Sequence, residues 1–130
     1  MLKHYCFFPI IILLALAIVG CGGNVGLRGT VVFSDDGSPV TAGMIAFLKD
    51  GKIARGTIRE DGTYIVGFER EADGLPPGRY EVFLTADVPV GETSESLIDL
   101  RYSRPETSGI TIDVDASTKV FNLEVERFKK

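Results

Sequence analysis

From residue 27 onward the apolar residues of this chain recur at every second position in short runs, and this period of two narrows its fold more than any other feature. In the segment 27–33, Leu27, Val31 and Phe33 share one face. Over 43–49, Ile45 and Phe47 face one way while Met44, Ala46 and Leu48 face the other. A weaker run covers 52–59. The pattern returns as Tyr64, Val66 and Phe68 in 63–68, and as Tyr80, Val82 and Leu84 in 79–86. It continues with Ile110, Ile112 and Val114 in 109–114, and with Phe121, Leu123 and Val125 in 119–126, where Asn122, Glu124 and Glu126 alternate with them. Successive side chains of a strand point to opposite faces, so each run sets one face in a core and one in water.

The separators have the chemistry of tight turns. Asp36-Gly37, Asp50-Gly51 and Asp61-Gly62 supply the positive φ angles that short hairpins require. Leu75-Pro76-Pro77-Gly78 interrupts a ladder, because proline lacks the amide donor. Seven short strands spaced by such turns predict an all-β, seven-stranded antiparallel sandwich of the immunoglobulin-like class, occupying 27–128. The segment 87–108 reads as a loop, and its length implies function or local order.

The first twenty residues follow a different logic. Lys3 precedes an apolar core over 7–19, and small residues follow it. This is the layout of a secretory signal, here a hydrophobic signal helix over 1–20. The core is shorter than the roughly 20 apolar residues that a membrane-spanning helix needs. Ile18-Val19-Gly20-Cys21, followed by Gly22, Gly23 and Asn24, resembles the lipobox of bacterial lipoproteins. The resemblance implies cleavage before Cys21 and acylation of its thiol, leaving a mature chain exported and lipid-anchored to a bacterial membrane, facing the periplasm or the cell surface. Gly22, in place of an aspartate after the cysteine, leans towards the outer membrane. An uncleaved helical anchor is the alternative, since no charged residue occurs from Tyr5 to Leu27. Residues 21–26 read as a flexible Gly-rich tether.

Charge and residue types exclude several functions. The chain has 14 Lys+Arg against 18 Asp+Glu, and without Lys3 the balance becomes 13 against 18, a net charge of −5. A basic surface for nucleic acid is therefore not expected. His4, the only histidine, falls in the leader, so the mature chain has no imidazole for acid–base chemistry or zinc ligation. Cys6 also falls in the leader, and an acylated Cys21 leaves neither a disulfide nor a free thiol. No phosphate-binding or dinucleotide motif occurs. Asp113 and Asp115 share a sheet face, yet calcium takes six to eight oxygens and two carboxylates do not supply them. No cofactor, no metal and no enzymatic activity are expected.

Three segments, Gly29-Thr30-Val31 with Pro39-Val40 and Gly43, Thr57 to Tyr64 around Asp61-Gly62, and Pro77-Gly78-Arg79-Tyr80-Glu81-Val82, together resemble carboxypeptidase regulatory-like (transthyretin-like) domains. A fourth, Arg101-Tyr102-Ser103-Arg104-Pro105-Glu106-Thr107-Ser108-Gly109-Ile110-Thr111, is similar to a segment of small planctomycete lipoproteins carrying that domain. The resemblance covers nearly all of the mature chain. It implies a sandwich that binds, spaces or stabilises, without catalytic residues. Transthyretin-related hydrolases use histidines and a C-terminal Tyr-Arg-Gly-Ser, and Arg127-Phe128-Lys129-Lys130 stands in that place here.

The functional expectation is a lipid-anchored, non-catalytic module of the cell envelope with a binding or structural role. The alternative is a carbohydrate- or peptide-recognising accessory of an envelope enzyme or transporter. Its partners would be the membrane, through lipidated Cys21, and an envelope protein or glycan. Arg101, Tyr102 and Arg104 are the candidate binding residues; the plainer reading has Tyr102 capping the sandwich and the arginines pairing with acids. An exposed edge near 52–59 would suggest a partner strand. Replacing Cys21 with Ser is expected to abolish metabolic labelling of the chain by a clickable fatty acid, read by in-gel fluorescence, and undiminished labelling would refute the lipobox reading.

Overall fold

The computed structural model describes residues 23–70 and 72–130. Cys21, the expected signal helix and the start of the expected tether lie outside them. Nine strands are present among the described residues: β1 (Arg28–Phe33), β2 (Gly43–Lys49), β3 (Lys52–Ile58), β4 (Thr63–Ile65), β5 (Gly78–Thr85), β6 (Asp87–Val90), β7 (Thr93–Ser96), β8 (Ile110–Val114) and β9 (Leu123–Val125). A single 3-10 turn (Leu100–Ser103) and a one-turn helix, α1 (Pro105–Ser108), separate β7 from β8.

Two sheets form the sandwich. One has the order β4-β1-β9 and the other β3-β2-β5-β8, while β6 and β7 form a separate hairpin. The inward residues of both sheets make one core, with Leu27, Val31, Tyr64, Ile45, Phe47, Val82 and Val125 fully buried. Phe47 sits where the layers meet, its ring 6.3 Å from those of Tyr64 and Phe121. Register follows the alternation: Ile45 lies opposite Leu84 and Phe47 opposite Val82, so each pair points the same way into the core. The Asp50-Gly51 turn has φ of 50° and 76° at its two central residues, the mirror-image geometry that matches strand twist, and it sets Lys49 opposite Lys52.

The structure departs from the sequence expectation in three respects. There are nine strands instead of seven, because the supposed loop 87–108 contains the β6-β7 hairpin, the 3-10 turn and α1. The sandwich is not wholly antiparallel: β1 pairs in parallel with β9, Val31 opposite Leu123 and Phe33 opposite Val125. Pairing also begins inside the span read as a tether, since Val25 exchanges two backbone hydrogen bonds with Leu75, at 2.7 and 3.0 Å. The β6-β7 hairpin is mostly exposed and so carries no hydrophobic alternation, while β1 and Val25 find backbone partners distant in sequence that no local periodicity announces.

Tyr64 ties the smaller sheet together. It lies opposite Gly29 in the β1-β4 register, and its hydroxyl donates to the Phe121 carbonyl beyond β1. The ring can pass because Gly29 has no side chain: a Cβ there would lie 1.8 Å from the Phe121 oxygen and 2.9 Å from the Tyr64 hydroxyl. Tyr80 makes a second stitch at the entry to β5, donating to the Pro76 carbonyl four residues upstream at 2.6 Å. This resembles the tyrosine corner of immunoglobulin-type sandwiches.

Replacing Tyr64 with Phe keeps the packing but leaves the Phe121 carbonyl without its donor, so a loss of about 1–3 kcal/mol is expected in urea unfolding. Gly29→Ala meets backbone instead of a yielding side chain and should cost more than Tyr64→Phe. Equal stability of both variants with the parent chain would remove Tyr64 as the tie of this sheet.

Candidate functional site

The segment from Asp99 to Gly109 carries the candidate binding residues, and local hydrogen bonds explain its shape. Asp99 caps the 3-10 turn by accepting from the Arg101 amide at 2.9 Å. Pro105 starts α1, where a missing amide hydrogen costs nothing, and Gly109 ends it in the left-handed conformation at φ 69°. The Thr107 hydroxyl donates to the Arg101 carbonyl at 2.6 Å, joining the two turns. Buried Ser108 donates to the Val82 carbonyl of β5 and accepts from the Ile110 amide, which docks the segment on the larger sheet.

Arg101 and Tyr102 come together here, but against each other and the C-terminal strand. Tyr102 is 5% exposed, and its hydroxyl accepts from the Glu126 amide at 3.0 Å and from Arg101 at 2.8 Å. The Arg101 guanidinium lies 4.7 Å from the Tyr102 ring centre and donates to the Glu126 carboxylate at 3.0 Å. That carboxylate holds the Arg101 pKa above its ordinary value. Arg104 is exposed, and its carbonyl accepts from the Ser108 amide at 2.9 Å. A ligand on this segment would meet Arg104 directly, whereas Arg101 would have to leave Glu126.

Other polar side chains are engaged in the same manner. Asp36, Asp61 and Asp115 each accept from the amide two residues ahead, on Ser38, Thr63 and Ser117, and from the hydroxyl of that residue. Asp73 accepts from three consecutive amides, those of Phe68, Glu69 and Arg70. Arg127 lies 3.7 Å over the Phe33 ring and pairs with Asp35 at 3.0 Å and Asp36 at 3.4 Å. Sequence reading missed Asp73 and Arg127; the Asx turns were legible in the Asp-x-Ser/Thr spacing, while the Arg127 pairing was not.

The electrostatics follow from these bonds. Serine and threonine donors lower the pKa values of Asp36, Asp61 and Asp115, and backbone amides lower that of Asp73. Burial raises the Tyr64 and Tyr80 phenols above the ordinary value. Each of these shifts moves its group further from neutral pH, the reverse of what a general acid or base requires. Among the described residues no three His, Cys, Asp or Glu side chains converge on a common point. Asp113 is exposed on β8, and Asp115 turns back to its own loop.

The edge at 52–59 is partly occupied. Arg55 and Gly67 exchange two backbone hydrogen bonds of 2.8 Å, bridging β3 to the chain beyond β4. Tyr64, Tyr80 and Tyr102 are all buried. Among the described residues no helix is long and apolar enough to cross a membrane.

No protein-family model matches the chain. No curated protein matches it either. Among solved structures it is similar to BcpA, the major pilin subunit of Bacillus cereus, with a TM-score of 0.52 and 16% sequence identity. The match covers 82% of this chain and 30% of that protein, so this chain corresponds to under a third of the pilin subunit. The similarity supports a β-sandwich and leaves the carboxypeptidase regulatory-like resemblance resting on sequence motifs.

Two pH effects are expected. The four aspartates have folded pKa values below the ordinary 3.8, so their contribution is complete above that value and is lost as pH falls through the folded pKa values. The raised tyrosine pKa values make stability fall as pH rises above the ordinary 10.0. Thermal unfolding across pH should show both limbs. Asp73→Asn should flatten the acid limb and speed amide exchange at Phe68, Glu69 and Arg70; unchanged exchange there would refute the role given to its carboxylate.

Proposed function

We propose that this chain is a lipid-anchored, non-catalytic module of the bacterial cell envelope with a binding or structural role. The observation that carries the non-catalytic part is the use made of its polar side chains: the hydroxyls of Tyr64, Tyr80 and Tyr102 and the carboxylates of Asp36, Asp61, Asp73 and Asp115 bond to the protein's own backbone. Such groups build a rigid body. The lipid anchor is supported by the leader and by Cys21, two residues before the first described residue.

The likeness to a pilin subunit agrees with a structural role at the cell surface, as an analogy of fold. The motifs shared with carboxypeptidase regulatory-like domains fall at structurally sensible places: Gly29-Thr30-Val31 in β1, Asp61-Gly62 in the turn before β4, and Pro77-Gly78-Arg79-Tyr80 at the entry to β5. This supports reading the chain as a member of that group. The burial of all three tyrosines weighs against a sugar-stacking accessory.

Detergent phase partitioning of membranes from the native cells tests the anchor. The chain is expected in the detergent phase, and the Cys21→Ser variant is expected to lose its mature, detergent-partitioning form. Photo-crosslinking in intact envelopes tests the rest: a stoichiometric glycan adduct would replace the structural reading with the recognition one.

A further inference from the structure

The outer face of the β4-β1-β9 sheet carries a row of side chains set by register. Arg28 lies opposite Ile65 of β4 on one side and bridges Val120 on the other. Arg28 is exposed, Ile65 is half-buried and Val120 is 54% exposed. Beside this row runs a groove of about 570 Å³ lined by Asn24, Val25, Arg28, Ile65, Ala116 and Lys119, with Gly23 at its rim. The Arg28 amide donates to the Lys119 carbonyl at 3.1 Å, which fixes the two cationic residues as neighbours. Neither cation forms an ion pair among the described residues, whereas Arg101 and Arg127 are both paired. Asp61, nearby on the same face, is committed to Thr63. The row thus sets two cations beside two apolar side chains in a chain with more acidic than basic residues.

Its position indicates what covers it. The groove wall begins at Gly23, and two residues of extended chain span at most about 7 Å, so Cys21 is within that reach. The opposite end of β1 lies about 17 Å away, five strand rises on, at Phe33, where Arg127 meets Asp35 and bridges Ile98 next to the β6-β7 hairpin. The cationic, apolar face is therefore at the end of the sandwich where the anchor enters.

From this arrangement we infer that the Ile65-Arg28-Val120 row and Lys119 dock on an anionic membrane, the two cations on lipid phosphates and the two apolar side chains at the headgroup boundary. The inference rests on the Cys21 anchor proposed above and adds an orientation: the smaller sheet lies towards the lipid and the β6-β7 hairpin projects away from it. Each cation near an anionic surface is worth roughly a fivefold bias, so Arg28 and Lys119 together hold the docked state on the order of twentyfold. Salt weakens such docking without releasing the acyl anchor.

The test uses the full chain purified from membranes, in a Cys6→Ser background, with a bimane fluorophore on Val120→Cys or on Val90→Cys in the hairpin. Each is reconstituted in phosphatidylcholine vesicles with or without anionic phosphatidylglycerol, whose negative surface potential attracts Lys and Arg. Emission at residue 120 should shift to the blue only with phosphatidylglycerol and revert in high salt, while emission at residue 90 stays constant. Lys119→Ser should lower the docked-to-undocked ratio about fivefold, and Arg28→Ser with Lys119→Ser should lower it on the order of twentyfold and remove the dependence of the shift on phosphatidylglycerol. Co-flotation with vesicles reads the anchor separately. A chain that floats without a shift, shifts equally in neutral vesicles, or shifts at both positions overturns the docking and leaves the anchor standing. A chain that does not float overturns anchor and docking together.

Discussion

The passage of Tyr64 across Gly29 to the Phe121 carbonyl is the contact on which the rest of the sandwich depends. β4 is three residues long and β9 is three residues long, so neither has a ladder that would hold it to β1 alone. One buried phenol links both flanks of β1, and its ring presses on Phe47 from the facing sheet. Layer contact and strand order are thus set by the same side chain. The absence of a Cβ at residue 29 is as necessary as the hydroxyl at residue 64.

The larger sheet depends on a different device. Its strands are long enough to pair on their own, and side chains that imitate backbone hold its entry corner and the turns that join the two sheets or follow β1. Tyr80 and Lys49 both donate to the Pro76-Pro77 corner, at 2.6 and 3.2 Å, and the Asp-x-Ser/Thr turns each close on the amide two residues ahead. Rigidity of this kind comes from many short-range bonds, each modest, that leave few polar groups free to rearrange. The structural role proposed above would draw on that property more than on a cavity.

How much was legible in the sequence follows from which forces are local. Alternation in 79–86 and 119–126 identified β5 and β9, because burial on one face leaves a period of two in the residues. Asp50-Gly51 announced its hairpin, since only such residues tolerate two positive φ angles in succession. The β6-β7 hairpin left no such trace. Asp87-Val88-Pro89-Val90 and Thr93-Ser94-Glu95-Ser96 are exposed along most of their length, so no hydrophobic pattern was imposed on them. The parallel β1-β9 pair was hidden because its partners are ninety residues apart. Tyr102 was read as a cap or as a recognition residue, and the two readings differ by a Glu126 amide that is likewise distant in sequence.

That same parallel pairing governs when the domain can close. β1 is made well before β9, and one edge of β1 has no partner until β9 follows it. The Asx-closed turns and the β2-β3 hairpin can form as soon as they are made, but the smaller sheet cannot. Non-local pairing of this kind slows folding and keeps a chain open for longer. Under the export proposed above, having β1 wait for β9 would act as a timing device, keeping the smaller sheet open until β9 has been made.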